Sequence, residues 1–226
     1  MSPVDRSIRL AVLMAAILTS NAARAPAGMI SKPPMTYIAS PNFNGRNGTP
    51  VDTVVMHTTE ETLADTLDIF LSPARQVSAH FVVAPNGDIY QMVDTSERAW
   101  HATYYNSRSI GIEMVGYASQ ASTWNDDNLG ALVNLLAWII DQHPGIPLVH
   151  PGGDAYDTRG QRYTSTGLVA HGQVQPWNRS DPGPFLPWDD VIAAVDERLA
   201  AVPEPATALL AAAGLIGALR LRATTL

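Results

Sequence analysis

The sequence contains no cysteine. Disulfide bonds, thiolate metal sites and a cysteine nucleophile are therefore excluded. Positive charge is also scarce, since 14 lysines and arginines stand against 21 aspartates and glutamates and the formal net charge is -7. Without a basic stripe to meet a phosphate backbone, we expect no nucleic-acid partner. A transition metal in this chain must bind to histidine and carboxylate side chains, a donor set that suits zinc.

The amino-terminal apolar run, over residues 10–18, is short, with two arginines before it and small residues after it. Candidate cleavage sites lie at residues 23–25 and 25–27. This order of charged, apolar and small residues is typical of a secretory signal peptide, which we predict over residues 1–27. A run of this length does not span a bilayer as an ordinary transmembrane helix. The alternative interpretation is a short buried helix.

The carboxyl terminus carries a second pattern. Pro203-Glu204-Pro205 is followed by an apolar run over residues 208–219 and then by Arg220 and Arg222. The prolines end the preceding helix, and arginines beyond an apolar run stay on the cytoplasmic side of a membrane. The pattern resembles the PEP-CTERM sorting signal, which implies a transient membrane anchor and processing by an exosortase-type enzyme in a Gram-negative bacterium. We therefore predict a sorting segment over residues 202–226, in a protein exported to the periplasm, the outer surface or the extracellular matrix. The alternative is a disordered tail.

Between these ends, the sequence predicts one α/β domain over residues 51–201, preceded by a lead-in loop over residues 28–50 that is rich in proline, glycine, asparagine and serine. Apolar runs predict strands over residues 51–57, 80–84, 89–93, 109–115 and 167–170. Apolar residues at helical spacing predict helices over residues 61–71, 126–142 and 189–201. Strands that alternate with helices favour one mixed central β-sheet flanked by helices.

Two of the six histidines lie at the ends of predicted strands. His57 ends one strand and His171 follows another, so both imidazoles can converge at one edge of the sheet. Asp181 lies in a turn rich in proline and glycine, which can orient its carboxylate. Two imidazoles and one carboxylate leave the fourth position of a zinc ion open, as in catalytic sites. Taken alone, however, each histidine is more often structural or solvent-facing, and no compact motif such as His-Glu-x-x-His is present.

Six motifs follow one another along the domain: VVMHTT (54–59), SAHFVV (78–83), NGDIYQ (86–91), AWHA (99–102), SIGIE (109–113), and AH (170–171) followed by DPG (181–183). In this order they resemble the type 2 N-acetylmuramoyl-L-alanine amidase family, which includes phage T7 lysozyme-like amidases and peptidoglycan recognition proteins. The resemblance covers about residues 50–198. It implies a mixed α/β fold with a zinc site at the sheet edge. It also implies hydrolysis of the amide bond between the lactyl group of N-acetylmuramic acid and L-alanine in peptidoglycan or muropeptides.

The resemblance implies roles for individual residues. His57, His171 and Asp181 match the family's zinc ligands. Glu113 matches the glutamate that acts as general base. Arg179 stands where many members have a lysine that stabilises the oxyanion.

Further positions match the family's substrate groove, namely Trp100, His101 and Asn106. His80 matches a frequent family histidine, for which substrate contact and structural packing both remain open. Ala79 departs from the pattern, because the phage enzymes have a catalytic tyrosine there, and this leaves the glutamate as the only evident base.

Two other functions are consistent with the same motifs. The domain could be a non-catalytic module that binds peptidoglycan, or a matrix or adhesion protein in which only the sorting signal matters. Retention of three ligands and the base favours an enzyme, which we expect to act as a monomer.

Overall fold

The computed structural model describes residues 30–157 and 162–202. The predicted signal peptide over residues 1–27 lies outside these ranges, and so does the predicted sorting segment except for its first residue. Within the ranges described, no helix is both long enough and apolar enough to cross a membrane.

The described residues form ten strands: β1 (Thr36–Tyr37), β2 (Phe43–Gly45), β3 (Thr53–Thr58), β4 (Phe81–Val83), β5 (Ile89–Gln91), β6 (Glu97–Ala99), β7 (Ser109–Met114), β8 (Tyr156–Asp157), β9 (Arg162–Tyr163) and β10 (Gly167–Ala170). Six of them form the central sheet in the order β1-β5-β4-β7-β3-β10. Neighbours from β4 to β10 pair in parallel, β5 is antiparallel to β4, and β1 is parallel to β5. The sheet is therefore mixed, as predicted, and the carboxyl ends of β7, β3 and β10 lie side by side.

The helices lie on the faces of this sheet and are α1 (Leu63–Leu71), α2 (Asp126–Gln142), α3 (His171–Val174) and α4 (Trp188–Ala200). Asn125 caps α2 by accepting hydrogen bonds from two backbone N–H groups of the first turn. One face of the sheet packs against α2 and α4 in the main core, whereas Phe70 of α1 packs against Val82 on the other face. The predicted strands and long helices are thus confirmed, each to within two residues at either end.

The lead-in over residues 28–50 departs from the predicted loop, because it contains β1 and β2. β1 extends the central sheet beyond β5, and β2 pairs with β6 in a separate antiparallel pair. These strands are two and three residues long. All of their residues are exposed, so no apolar pattern in the sequence indicates these strands.

Near the carboxyl ends of the central strands, the two faces of the sheet differ in polarity. Val54 and Met56 of β3 point into the main core, whereas Val55 points to the opposite face. Side chains alternate along a strand, so His57 lies on the same face as Val55. Glu113 of β7 is the register partner of His57. Polar groups from neighbouring strands therefore meet on the face opposite α2.

Candidate metal centre

Three potential ligand atoms converge at the carboxyl ends of β3 and β10. His57 Nδ1 lies 3.0 Å from His171 Nδ1 and 3.2 Å from Asp181 Oδ2. His171 Nδ1 lies 3.0 Å from the same oxygen. All three residues are buried, and within the described part of the chain they form the one group of histidine and acidic side chains close enough to share a metal ion. The structure thus brings together the residues predicted as ligands.

Adjacent parallel strands position the two histidines. His57 is the penultimate residue of β3, and His171 follows β10 directly and begins α3. The strands are in register with Ala170 opposite Met56. The two histidines therefore occupy equivalent positions, each one residue beyond that pair.

The loop that carries Asp181 is held at this residue and two residues after it. The N–H of Gly172 donates a hydrogen bond to the Asp181 carbonyl at 2.8 Å. Gly183 has a φ of +80°, and a Cβ there would lie 2.1 Å from the carbonyl oxygen of Ala118. Glycine satisfies both requirements, because it adopts positive φ freely and has no Cβ. Close packing of the loop thus directs the Asp181 carboxylate toward the histidines.

The outer nitrogens of both histidines have hydrogen-bond partners. His171 Nε2 lies 2.8 Å from Gln175 Oε1, an amide oxygen that can only accept, so Nε2 carries a proton. His57 Nε2 lies 3.0 Å from His101 Nδ1. Burial, followed by the nearby His171, lowers the pKa of His57 to about 4, so this imidazole is neutral at pH 7.

The three atoms that face one another, which are the two histidine Nδ1 atoms and Asp181 Oδ2, need a positive charge between them. Burial alone would raise the pKa of Asp181, but the adjacent His171 and His57 imidazoles, whose Nδ1 atoms lie 3.0 and 3.2 Å from its Oδ2, hold it well below its usual range. A hydrogen bond to this carboxylate needs a proton on one of the two Nδ1 atoms, and a metal cation would take the place of that proton. Two imidazole nitrogens and a charged carboxylate, buried and within 3.2 Å of one another, fit a zinc ion with an open coordination position.

Glu113 lies beside this centre on β7. Its Oε2 atom is buried and has no hydrogen-bond partner among the described residues. Burial, followed by the negative charge of Asp181, raises the pKa of Glu113 to about 8, against a smaller opposing effect of Arg179. A carboxyl group with its pKa near neutrality can both accept and donate a proton, as general acid–base catalysis requires.

An open cavity of about 310 Å³ lies over these groups. Its wall is formed by the three candidate ligands and by Thr58, Thr59, Glu60, Phe70, Val77, Ser78, Trp100, His101, Glu113 and Arg179. The predicted groove residues Trp100 and His101 are thus among its lining, and so is the exposed Arg179. The Trp100 indole is fixed by a hydrogen bond from its Nε1 to Asn44 Oδ1 of β2, at 2.9 Å.

The other two predicted groove residues lie behind the cavity wall. His80 is fully buried; its Nδ1 accepts a hydrogen bond from the Gly111 N–H at 2.9 Å, and its Nε2 lies 3.1 Å from the Glu97 carbonyl. These contacts favour structural packing over substrate contact. Asn106 Oδ1 accepts hydrogen bonds from the backbone N–H groups of His101 and Ala102, at 2.9 and 2.6 Å. Asn106 therefore shapes the loop that carries His101 instead of lining the groove.

Two residues of the site were not predicted from the sequence, namely Glu60 and Gln175. Glu60 lines the cavity, has a φ of +55°, and accepts hydrogen bonds from Thr58 Oγ1 and the Ala118 N–H. No pattern in the sequence marked it. Gln175 lies four residues after His171, a spacing that places two side chains of a helix together and could have been recognised.

Comparison with known proteins identifies the family. The N-acetylmuramoyl-L-alanine amidase family model matches residues 47–184. N-acetylmuramoyl-L-alanine amidase A of Achromobacter lyticus is 35% identical over 140 residues, which cover 61% of this chain and 78% of that enzyme. The 1,6-anhydro-N-acetylmuramyl-L-alanine amidase AmpD of Haemophilus influenzae is 29% identical over 128 residues, which cover 53% of this chain and 59% of that protein.

A solved structure, that of a selenomethionine derivative of AmpD, shows the same fold. It superposes with a TM-score of 0.58 at 22% identity, over 74% of this chain and 98% of that structure. A second family model, the PEP-CTERM protein-sorting motif, matches residues 201–223, which indicates export in a Gram-negative bacterium. Because the amidase match spans more than half of the chain, this protein belongs to the N-acetylmuramoyl-L-alanine amidase family of hydrolases and carries a PEP-CTERM sorting motif.

Proposed function

We propose that this amidase binds zinc through His57, His171 and Asp181 and cleaves the bond between the lactyl group of N-acetylmuramic acid and L-alanine, in peptidoglycan or in muropeptides. The observation that carries the proposal is the position of Glu113. Its carboxyl group lies next to the candidate ligands, on the wall of the same cavity, with one oxygen unpartnered. A carboxyl group is costly to bury in this way unless it has a partner or a function.

Glu113, Arg179 and the proposed zinc ion each have a task in this reaction. A zinc ion, when bound, would lower the pKa of water toward ~7 and polarise the scissile carbonyl group. Glu113 accepts the proton of the attacking water and returns it to the leaving nitrogen of L-alanine. Arg179 stabilises the oxyanion that develops on the carbonyl oxygen. Positive charge at the ligands also lowers the pKa of Glu113 from about 8, because a nearby cation favours the carboxylate form.

The substrate would enter along the open side of the cavity. Trp100 offers an apolar ring for stacking on a sugar or a peptide side chain, and His101 lies next to it on the wall. The relatives point to two substrate classes, since the name of AmpD specifies a 1,6-anhydro muramyl group whereas that of amidase A does not. The assay therefore needs both intact and soluble substrates.

The sorting motif supports a proposal about location. We propose that an amino-terminal signal peptide directs export and that an exosortase-type enzyme processes the tail after transient anchoring in the membrane. The amidase would then act as a monomer in the periplasm, on the outer surface or in the extracellular matrix. Peptidoglycan is its expected partner in the first of these places, and released wall fragments in the others.

Mass spectrometry of digested peptidoglycan tests the enzymatic proposal. Purified protein with zinc should release stem peptides with a free amino-terminal L-alanine and leave lactyl carboxylates on the glycan. A chelator should stop this release, and restored zinc should recover it. Binding of muropeptides without cleavage by the zinc-loaded protein would contradict the proposal and indicate a recognition module.

A further inference from the structure

His101 lies behind the metal centre as well as on the cavity wall. Its Nδ1 is 3.0 Å from Nε2 of His57, and its Nε2 is 3.3 Å from Oγ of Ser109. The Ser109 hydroxyl is in turn 2.7 Å from the carbonyl oxygen of Tyr105. A chain of hydrogen bonds thus runs from the candidate ligand His57 to a backbone carbonyl group.

The carbonyl group of Tyr105, at the end of this series of hydrogen bonds, determines the direction of each of them. A carbonyl oxygen can only accept, so the Ser109 hydroxyl donates to Tyr105 and its oxygen is left to accept from His101 Nε2. A neutral His101 with its proton on Nε2 has a lone pair on Nδ1. His57 therefore donates from Nε2, and its Nδ1 faces Asp181 and His171 as a lone pair. This is the tautomer that can bind a metal ion through Nδ1.

The His101 ring occupies a recess that the sheet provides at Gly111. A Cβ atom at Gly111 would lie 2.6 Å from Cγ of His101, 2.7 Å from its Nδ1 and 2.8 Å from its Cδ2. No side chain could therefore replace this hydrogen without displacing the ring. Gly111 belongs to β7, two residues before Glu113, so the strand that supplies the candidate base also makes room for His101.

We propose that His101 is a positioning residue for zinc binding: by accepting the His57 Nε2 proton, it fixes the tautomer and the ring orientation of His57. The inference rests on the proposed zinc site. Metal-bound histidines commonly donate their outer N–H group to a carboxylate, a backbone carbonyl group or water, and loss of this acceptor costs roughly 10–100-fold in metal affinity or activity. Nδ1 of His101 takes the place of such an acceptor here. Gln175 has the same relation to His171, through the hydrogen bond at 2.8 Å.

Two substitutions of similar shape separate acceptance of this proton from simple filling of space. His101→Asn keeps an acceptor oxygen near the position of Nδ1, whereas His101→Leu has nearly the same outline as asparagine and no acceptor. Zinc affinity, measured by competition with a chromophoric chelator, should fall about 10–100-fold in His101→Leu. It should stay within about threefold of wild type in His101→Asn. Equal affinities of both variants and wild type would overturn the inference, and so would equal losses.

Gly111→Ala tests the same contact without altering a polar group. The added methyl group should displace His101 and reduce zinc affinity by about tenfold or more. Gly130→Ala is the matched control, since Gly130 lies in α2 and a methyl group added there would meet no atom of the described residues within 4 Å, apart from its chain neighbours and the backbone of its own helix. Its zinc affinity should equal that of wild type. Unchanged affinity in Gly111→Ala would contradict the proposal.

A spectroscopic measurement adds a readout independent of activity. In the cobalt-substituted protein, the visible absorption bands should shift in His101→Leu and remain near wild type in His101→Asn, because the bands report the geometry of the ligands. If wild type itself binds neither zinc nor cobalt, the proposed zinc site fails. If wild type binds both and His101→Leu is spectrally identical to it, only the positioning role fails.

Discussion

Replacing Glu113 with glutamine should have opposite effects on activity and on the stability of the metal-free protein. Glutamine preserves the shape and much of the hydrogen bonding of the side chain but cannot accept a proton at neutral pH. Removal of a general acid–base group costs roughly 10²–10⁴-fold in rate. We therefore expect kcat to fall by that factor, while zinc affinity and muropeptide binding stay near their wild-type values.

The effect on stability follows from the raised pKa. The pKa of Glu113 is about 8 in the folded metal-free protein, against 4.5 for an unperturbed group. Between these two values the folded state binds more protons than the unfolded state, so Glu113 makes the wild type less stable as pH rises. At 1.36 kcal/mol per pH unit from pH 4.5 to pH 7, the loss is at most about 3 kcal/mol. Glu113→Gln escapes this loss and should be the more stable protein at pH 7.

Urea denaturation in the presence of a chelator measures this difference. The two unfolding curves should nearly coincide at pH 4.5, and the variant should gain stability, by up to about 3 kcal/mol, as pH approaches 7. A constant difference across this range would refute the assignment of a buried, protonated carboxyl group to Glu113. A kcat within about threefold of wild type would show instead that another group handles the proton.

Three further predictions concern the metal site and the tail. Asp181→Ala should leave two imidazoles, too few for tight zinc binding, and should abolish activity while circular dichroism shows the fold intact; zinc binding at wild-type strength would refute the ligand assignment. Gly183→Ala should lower zinc affinity at least about tenfold, because Gly183 has a positive φ and lies too close to the carbonyl group of Ala118 for a methyl group to fit. Gly152→Ala is the control and should bind zinc as wild type does, because a methyl group there would meet none of the described atoms within 4 Å, apart from its chain neighbours. Changing Pro203 and Glu204 to alanine should leave the protein in the inner membrane on cell fractionation, and unaltered release or surface display would refute processing at the tail.

Long apolar patterns predicted the fold well. The stripe of apolar residues over 126–142 gave the bounds of α2 without error, and β10 likewise matched its predicted range. β1, β2, β6, β8 and β9 were not predicted. β1 and β2 have only exposed residues, and β6 buries only Ala99, so no apolar run indicates these three strands, whereas β4 and β5, which are as short as β2 and β6, lie in apolar runs. Apolar patterns thus predict elements that bury several of their own side chains. They do not predict short strands whose side chains are mostly exposed.

The candidate site was predictable to a similar degree. His57, His171 and Asp181 meet as expected, and Glu113 joins them because it is in register with His57 on the adjacent strand. The sequence could not distinguish a residue on the cavity wall from one just behind it, so His80 was grouped with Trp100. That distinction depends on the contacts of a ring with distant backbone atoms, as between His80 and the carbonyl group of residue 97.

The wide spacing of the ligands gives the metal a structural consequence. His57 and Asp181 are 124 residues apart in sequence, but Nδ1 of the histidine lies only 3.2 Å from Oδ2 of the aspartate. A bound zinc ion would therefore cross-link the ends of the domain in a chain that has no disulfide bond. At a free zinc concentration 1,000 times Kd, this linkage adds about 4 kcal/mol to the stability of the folded state. Scarcity of zinc would then do more than stop hydrolysis, because the less stable metal-free domain unfolds more often and is cut more often by proteases, which would shorten the lifetime of the amidase.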